Sequence, residues 1–93
     1  MKVVWLPSAI SDLERLEDFL TRDAEPNPGD VAGLIKDATR SLRDFPQRCR
    51  PVPERLNFRE LFVEARSQTY VVQFRVTGQD VVIVRIWHGK ESR

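Results

Sequence analysis

The spacing of apolar residues changes once along the chain, and this change constrains the fold more than any other feature. Between residues 8 and 45 they recur every third or fourth position, whereas between 58 and 87 they recur every second. In "SAISDLERLEDFLTRD", Ile10, Leu13, Leu16 and Leu20 make one helical stripe, which predicts a helix from about 8 to 22. A second stripe runs through Val31, Leu34, Ile35, Ala38, Leu42 and Phe45, and Pro46 terminates it. Ser8 and Asp30 stand where N-caps are expected, since a short side-chain oxygen there accepts from a backbone N–H two or three residues on. Asp12 and Glu14 suit the positive end of the first helix. The prolines and glycine of "AEPNPGD" separate the two helices, which therefore form an antiparallel hairpin.

Three strands follow an aperiodic loop at 46–57. Leu61, Val63 and Ala65 alternate with Glu60, Phe62 and Glu64, and Tyr70, Val72, Phe74 and Val76 alternate with Val71, Gln73 and Arg75. A turn is expected near Ser67 and a second at "TGQD", 77–80, before the apolar run "VVIVRIW". Before the helices, "KVVW" at 2–5 reads as a short strand stopped by Pro7. The order β-α-α-β-β-β is that of an α+β domain spanning 1–93, with the helical hairpin on one face of a small, mostly antiparallel sheet. Where the first strand pairs is left open. The uncovered face should carry Val71, Val81, Ile83 and Trp87 with Gln73, Arg75 and Arg85, partly covered by a partner or by the 46–57 loop.

Composition excludes several classes. With 41% hydrophobic and 31% charged residues the chain reads as globular and water-soluble, and nothing in it is long and apolar enough for a membrane span. One cysteine, Cys49, permits no internal disulfide and no cysteine zinc site, and no metal or cofactor site is expected. A reducing cytoplasm is the expected setting. Lying between two arginines, Cys49 could have a lowered pKa. The net charge of +1 hides an asymmetry: residues 1–46 carry six basic and nine acidic groups, whereas 47–93 carry nine basic and five acidic, eight of the nine being arginine. Arginine forks suit carboxylates and phosphates, so the second half suggests an anionic partner, with solvated surface charge as the alternative reading.

The start "VVWLPSAISDLERLEDFL", the "SLRDFP" that ends the second helix, "FREL", "TYVVQFRV" and the close "VVIVRIWHGK" together resemble the RelE/ParE toxins of bacterial type II toxin–antitoxin pairs. The likeness covers nearly the whole chain through order and spacing rather than one diagnostic motif. It implies a growth-inhibiting cytoplasmic toxin, of a kind that stabilises plasmids, held inactive by a ParD-like antitoxin whose extended segment folds onto the toxin. RelE-like members cleave mRNA on the ribosome, while ParE-like members inhibit DNA gyrase.

The nuclease branch implies an arginine or lysine after the third-strand tyrosine, an arginine after the terminal glycine–lysine pair, and a tyrosine or histidine near the end. This chain has Val71 and Glu91 at the first two places and stops at Arg93 without a tyrosine. The ParE-like branch is therefore expected: no catalytic residue, a hetero-oligomer with the antitoxin, gyrase as target and no direct sequence-specific nucleic-acid binding. Arg59, Arg75, Arg85, Trp87, His88 and Lys90 are the candidate partner-binding residues. Under the nuclease alternative Arg59, Arg75, His88 and Lys90 would be catalytic. Arg59 and Arg75 should point to the open face or to water, and Arg85, inside an apolar strand, needs a carboxylate from this chain or another. Trp5 and Trp87 are expected to pack at the core or its rim.

Overall fold

The computed structural model describes residues 1–22, 28–65 and 67–91, and side chains throughout these except at 19–22 and 28–30. Two helices, α1 (Pro7–Arg22) and α2 (Pro28–Arg40), lie on one face of a five-stranded sheet. The strands are β1 (Lys2–Trp5), β2 (Arg50–Pro51), β3 (Phe58–Ala65), β4 (Gln68–Thr77) and β5 (Asp80–His88), in the order β1-β5-β4-β3-β2. β1 runs parallel to β5 and every other pair is antiparallel. The expected α+β layering is present, the β3–β4–β5 meander turns near Ser67 and at Gly78–Gln79, and β1 takes the side next to β5.

Several local expectations are corrected. α1 starts at Pro7, whose missing N–H costs nothing at a first helical position, and Ser8 is not its cap: its hydroxyl donates to Val84 O at 2.6 Å. The buried stripe of α1 is Ala9, Leu13 and Leu16, while Ile10 is exposed and Leu20 lies outside the described side chains. α2 begins two residues before the expected cap Asp30, whose side chain is also outside those described. Val31, Ile35 and Leu42 are buried as expected, but Leu34 is exposed and α2 ends at Arg40 in a tight 3₁₀ turn, Ser41–Arg43. Phe45 then adopts a left-handed conformation (φ 54°) and stands 77% exposed. The helical period thus stops before Phe45, since the backbone leaves the α-helix at Arg40 and is already extended at Asp44.

The 46–57 segment is not only a loop. It holds a 3₁₀ turn at Pro46–Arg48 and the two residues of β2, which pair with Arg59 and Glu60 on β3.

The largest correction concerns β5. Gln73 pairs with Arg85 but the next residue, Phe74, pairs with Ile83, so Val84 is an extra residue on β5. Such a bulge reverses which side of the sheet later residues face. Val81 and Ile83, expected on the open face, are fully buried in the core against the helices with Tyr70, Val72 and Phe74. Beyond the bulge Ile86 takes the core side and Trp87 the open side, opposite Val71.

A candidate partner-binding surface

β1 ends at Trp5, and Leu6 N–H makes the last strand-like bond to Ile83 O at 3.0 Å. Among the described residues no strand lies beside the remaining edge of β5; α1 lies there instead. Ser8, Asp12 and Arg15 recur at helical spacing and present polar groups to that edge. Ser8 donates to Val84 O, Asp12 Oδ2 accepts from Ile86 N–H at 2.8 Å, and Arg15 Nη2 donates to Ile86 O at 3.4 Å. Glu91 continues the series, accepting from His88 N–H at 2.7 Å while pairing with Arg15 at the same distance. Four backbone groups that a missing strand would otherwise leave unsatisfied thus have side-chain partners.

Arg85 is held within this arrangement. Its Nε and Nη2 donate to Asp12 at 2.8 and 3.1 Å, so the carboxylate it needs comes from this chain. Burial alone would raise the Asp12 carboxyl, but hydrogen bonds from Arg85 and Ile86 N–H and the charges of Arg85 and Arg15 outweigh it and hold the pKa below the ordinary range. The same bond from Asp12 raises Arg85.

The other candidate cations do not converge. Arg59 pairs with Phe74, which places it on the helix side rather than the open face; there Nη1 donates to Gln47 O and Cys49 O at 3.2 and 2.7 Å. Arg75 is exposed on the open face, opposite Phe58 and Val82. His88 sits opposite the buried Tyr70, five positions along β4 from Arg75, about 17 Å at a strand's rise. Its ring meets Tyr70 edge-on with centroids 5.2 Å apart. Lys90 N–H donates to Nδ1 at 3.1 Å, which leaves the ring hydrogen on Nε2 to bond Gln68 Oε1 at 2.7 Å. Lys90 itself is exposed at the tip, where Gly89 N–H bonds Thr69 O at 2.7 Å.

Cys49 is buried, not a reactive loop thiol: burial pushes its pKa up, against the smaller opposing effect of Arg48 and Arg59. Among the described residues no three potential metal ligands cluster, and no helix is long and apolar enough to cross a membrane.

The open face carries Phe58, Phe62, Val71, Val82 and Trp87 with Gln73 and Arg75. As expected, the 46–57 loop covers part of it: the Arg55 guanidinium lies 3.9 Å over the Phe58 ring and donates to Gln73 at 3.3 Å.

The family profile described as "ParE toxin of type II toxin-antitoxin system, parDE" matches residues 3–93. The chain belongs to the ParE toxin family. Two Caulobacter vibrioides proteins are similar over most of their length. Toxin RelE1 is 32% identical over 82 residues, 88% of this chain and 86% of that one, and Toxin RelE3 is 35% identical over 94 residues, all of both. A solved structure described as the chromosomal ParDE TA system from P. aeruginosa superposes with a TM-score of 0.78 at 23% identity, covering 95% of each chain, and shares the fold.

Sequence reading missed the polar series on α1 of this toxin, because Asp12 fits the usual acidic residue near a helix start. The signal was present: Ser8, Asp12 and Arg15 follow the helical period beside the apolar stripe. Glu91, noted first for not being arginine, belongs to the same network.

Proposed function

We propose that this chain is the toxin of a type II pair, neutralised in the cytoplasm by a ParD-like antitoxin, and that once released it inhibits DNA gyrase through protein–protein contact. One observation carries this reading over RNA cleavage: Arg59, Arg75 and His88 do not share a site. Cleavage by 2′-OH attack needs a proton acceptor and a cation around one phosphate, within hydrogen-bond reach of it. Here both ring nitrogens of His88 are engaged within the chain, Arg59 is on the opposite side of the sheet from Arg75, and Arg85 is held by Asp12. What stays outward on the open face, aromatic rings and an exposed arginine, suits a protein surface.

The names of the two Caulobacter relatives favour a second reading, a ribosome-dependent mRNA endonuclease using Arg59, Arg75, His88 and Lys90. Inducing the toxin alone in a bacterial host separates the two. The gyrase reading predicts growth arrest with plasmid DNA losing negative supercoils and transcripts intact. Transcripts cut within their coding regions, with plasmid topology unchanged, would establish the nuclease instead.

A further inference from the structure

The turn joining β2 to β3 displays a large apolar side chain in water. Leu56 is 90% exposed. The backbone beneath it is firmly built: Val52 N–H bonds Phe58 O at 2.9 Å, Arg55 N–H bonds Val52 O at 3.1 Å and Phe58 N–H bonds Arg55 O at 3.2 Å. Pro51 and Pro53 fix their own backbone angles, Asn57 takes the left-handed conformation (φ 68°) that its residue type tolerates, and Arg55 is clamped on Phe58 and Gln73. An exposed leucine on a floppy loop would lose much of its binding energy to ordering, whereas a pre-ordered one would not.

The charge around this tip is one-sided. Between residues 47 and 59 stand Arg48, Arg50, Arg55 and Arg59 against the single acidic Glu54, and Arg75 faces Phe58 across the ladder. Among the described residues none of these five arginines has a carboxylate partner; Arg48 and Arg59 bond only to carbonyl and hydroxyl oxygens. Beside Leu56 lies an open hollow bordered by Pro53, Phe58 and Val76. Phosphate would use the arginines and leave the leucine idle in water. A protein offering a shallow apolar pocket rimmed by carboxylates uses both.

We infer that Leu56, on its rigid arginine-flanked turn, is the anchor by which the released toxin engages its protein target, seated in an apolar, acid-rimmed pocket of that target. The inference rests on the toxin acting through protein contact. Because the side chain is almost wholly in water, Leu56→Ala and Leu56→Asp should leave the melting temperature unchanged, and an anchor reserved for the target leaves the affinity for the ParD-like antitoxin unchanged as well.

The test titrates purified wild-type toxin and both variants into a gyrase supercoiling reaction, with antitoxin affinity measured alongside. Half-inhibition by Leu56→Asp is expected at a concentration at least tenfold above wild type, with Leu56→Ala between. Equal potency of all three overturns the inference, as does a tenfold loss of antitoxin affinity with potency intact. A wild-type toxin without effect on gyrase removes the gyrase reading alone, and induction in cells then decides. Loss of growth arrest by Leu56→Asp at equal folded protein level, with transcripts uncut under wild-type induction, upholds the anchor. Arrest equal to wild type, or wild-type arrest through transcript cleavage, overturns it.

Discussion

The Asp12 carboxylate accepts from Ile86 N–H and from two nitrogens of Arg85, and its own side chain is only 6% exposed. Replacing it by alanine strands a buried backbone donor and leaves Arg85 unpaired. A loss of about 2–3 kcal/mol is expected in urea unfolding, less than for a fully enclosed pair because the Arg85 side chain keeps 38% of its surface in water. The sign of the pH dependence follows from the lowered pKa. The folded carboxyl titrates below its ordinary value of 3.8, so its contribution is complete above about pH 4 and fades as pH falls through the folded value. Asp12→Asn should therefore be the less stable protein at neutral pH, with the gap to wild type narrowing in acid. A gap constant with pH would deny Asp12 this role. At Gly89 an added Cβ would lie 3.0 Å from Thr69 O, the acceptor of Gly89's own N–H. Gly89→Ala should cost about 1 kcal/mol, read by thermal unfolding, because neither backbone can yield without breaking that bond.

Among the elements, β5 shows how far periodicity reaches. The two helices, the meander and the turn positions follow from the spacing of apolar residues, since each element must bury one face and only one period does so. The bulge at Val84 does not follow from it. In "VVIVRIW" both faces are apolar, so the sequence has no alternation whose break would mark the extra residue. Deleting Val84 would restore unbroken pairing, with Arg85 still opposite Gln73, Ile86 still in the core and Trp87 still on the open face, at the loss of the carbonyl that accepts from Ser8. Such a protein should keep a sharp, cooperative thermal transition at a modestly lower midpoint; a broad, non-cooperative transition, as expected if Val84 were a regularly paired residue, would contradict the assigned register. β2 escaped notice because two residues carry no period, and Phe45 because a helical spacing can continue in sequence after the backbone has left the helix. The parallel pairing of β1 with β5 joins residues far apart in the chain, and nothing local to "KVVW" announces it.

Across the whole molecule, the sequence marks its second half as cationic, and the structure divides those charges by task. Arg85 closes the edge of β5, Arg59 holds the 46–49 turn, and Arg55 lies on Phe58. Arg75 is on the open face as expected, but Arg59, expected there or in water, lies on the side of Leu61 and Val63, where it bonds the carbonyls of Gln47 and Cys49. Which cations meet at one place is a tertiary fact, and the sequence could list them only together. The outward arginines that remain should steer an acidic partner, so association with the target should slow as salt is raised while dissociation changes little. Stopped-flow mixing across an ionic-strength series measures this. The most direct test of the account is supercoiling by purified gyrase, titrated with toxin freed of antitoxin. Inhibition that saturates with toxin and is reversed by adding antitoxin is predicted. Full supercoiling activity in excess toxin, with the same preparation cutting mRNA on translating ribosomes, would contradict it.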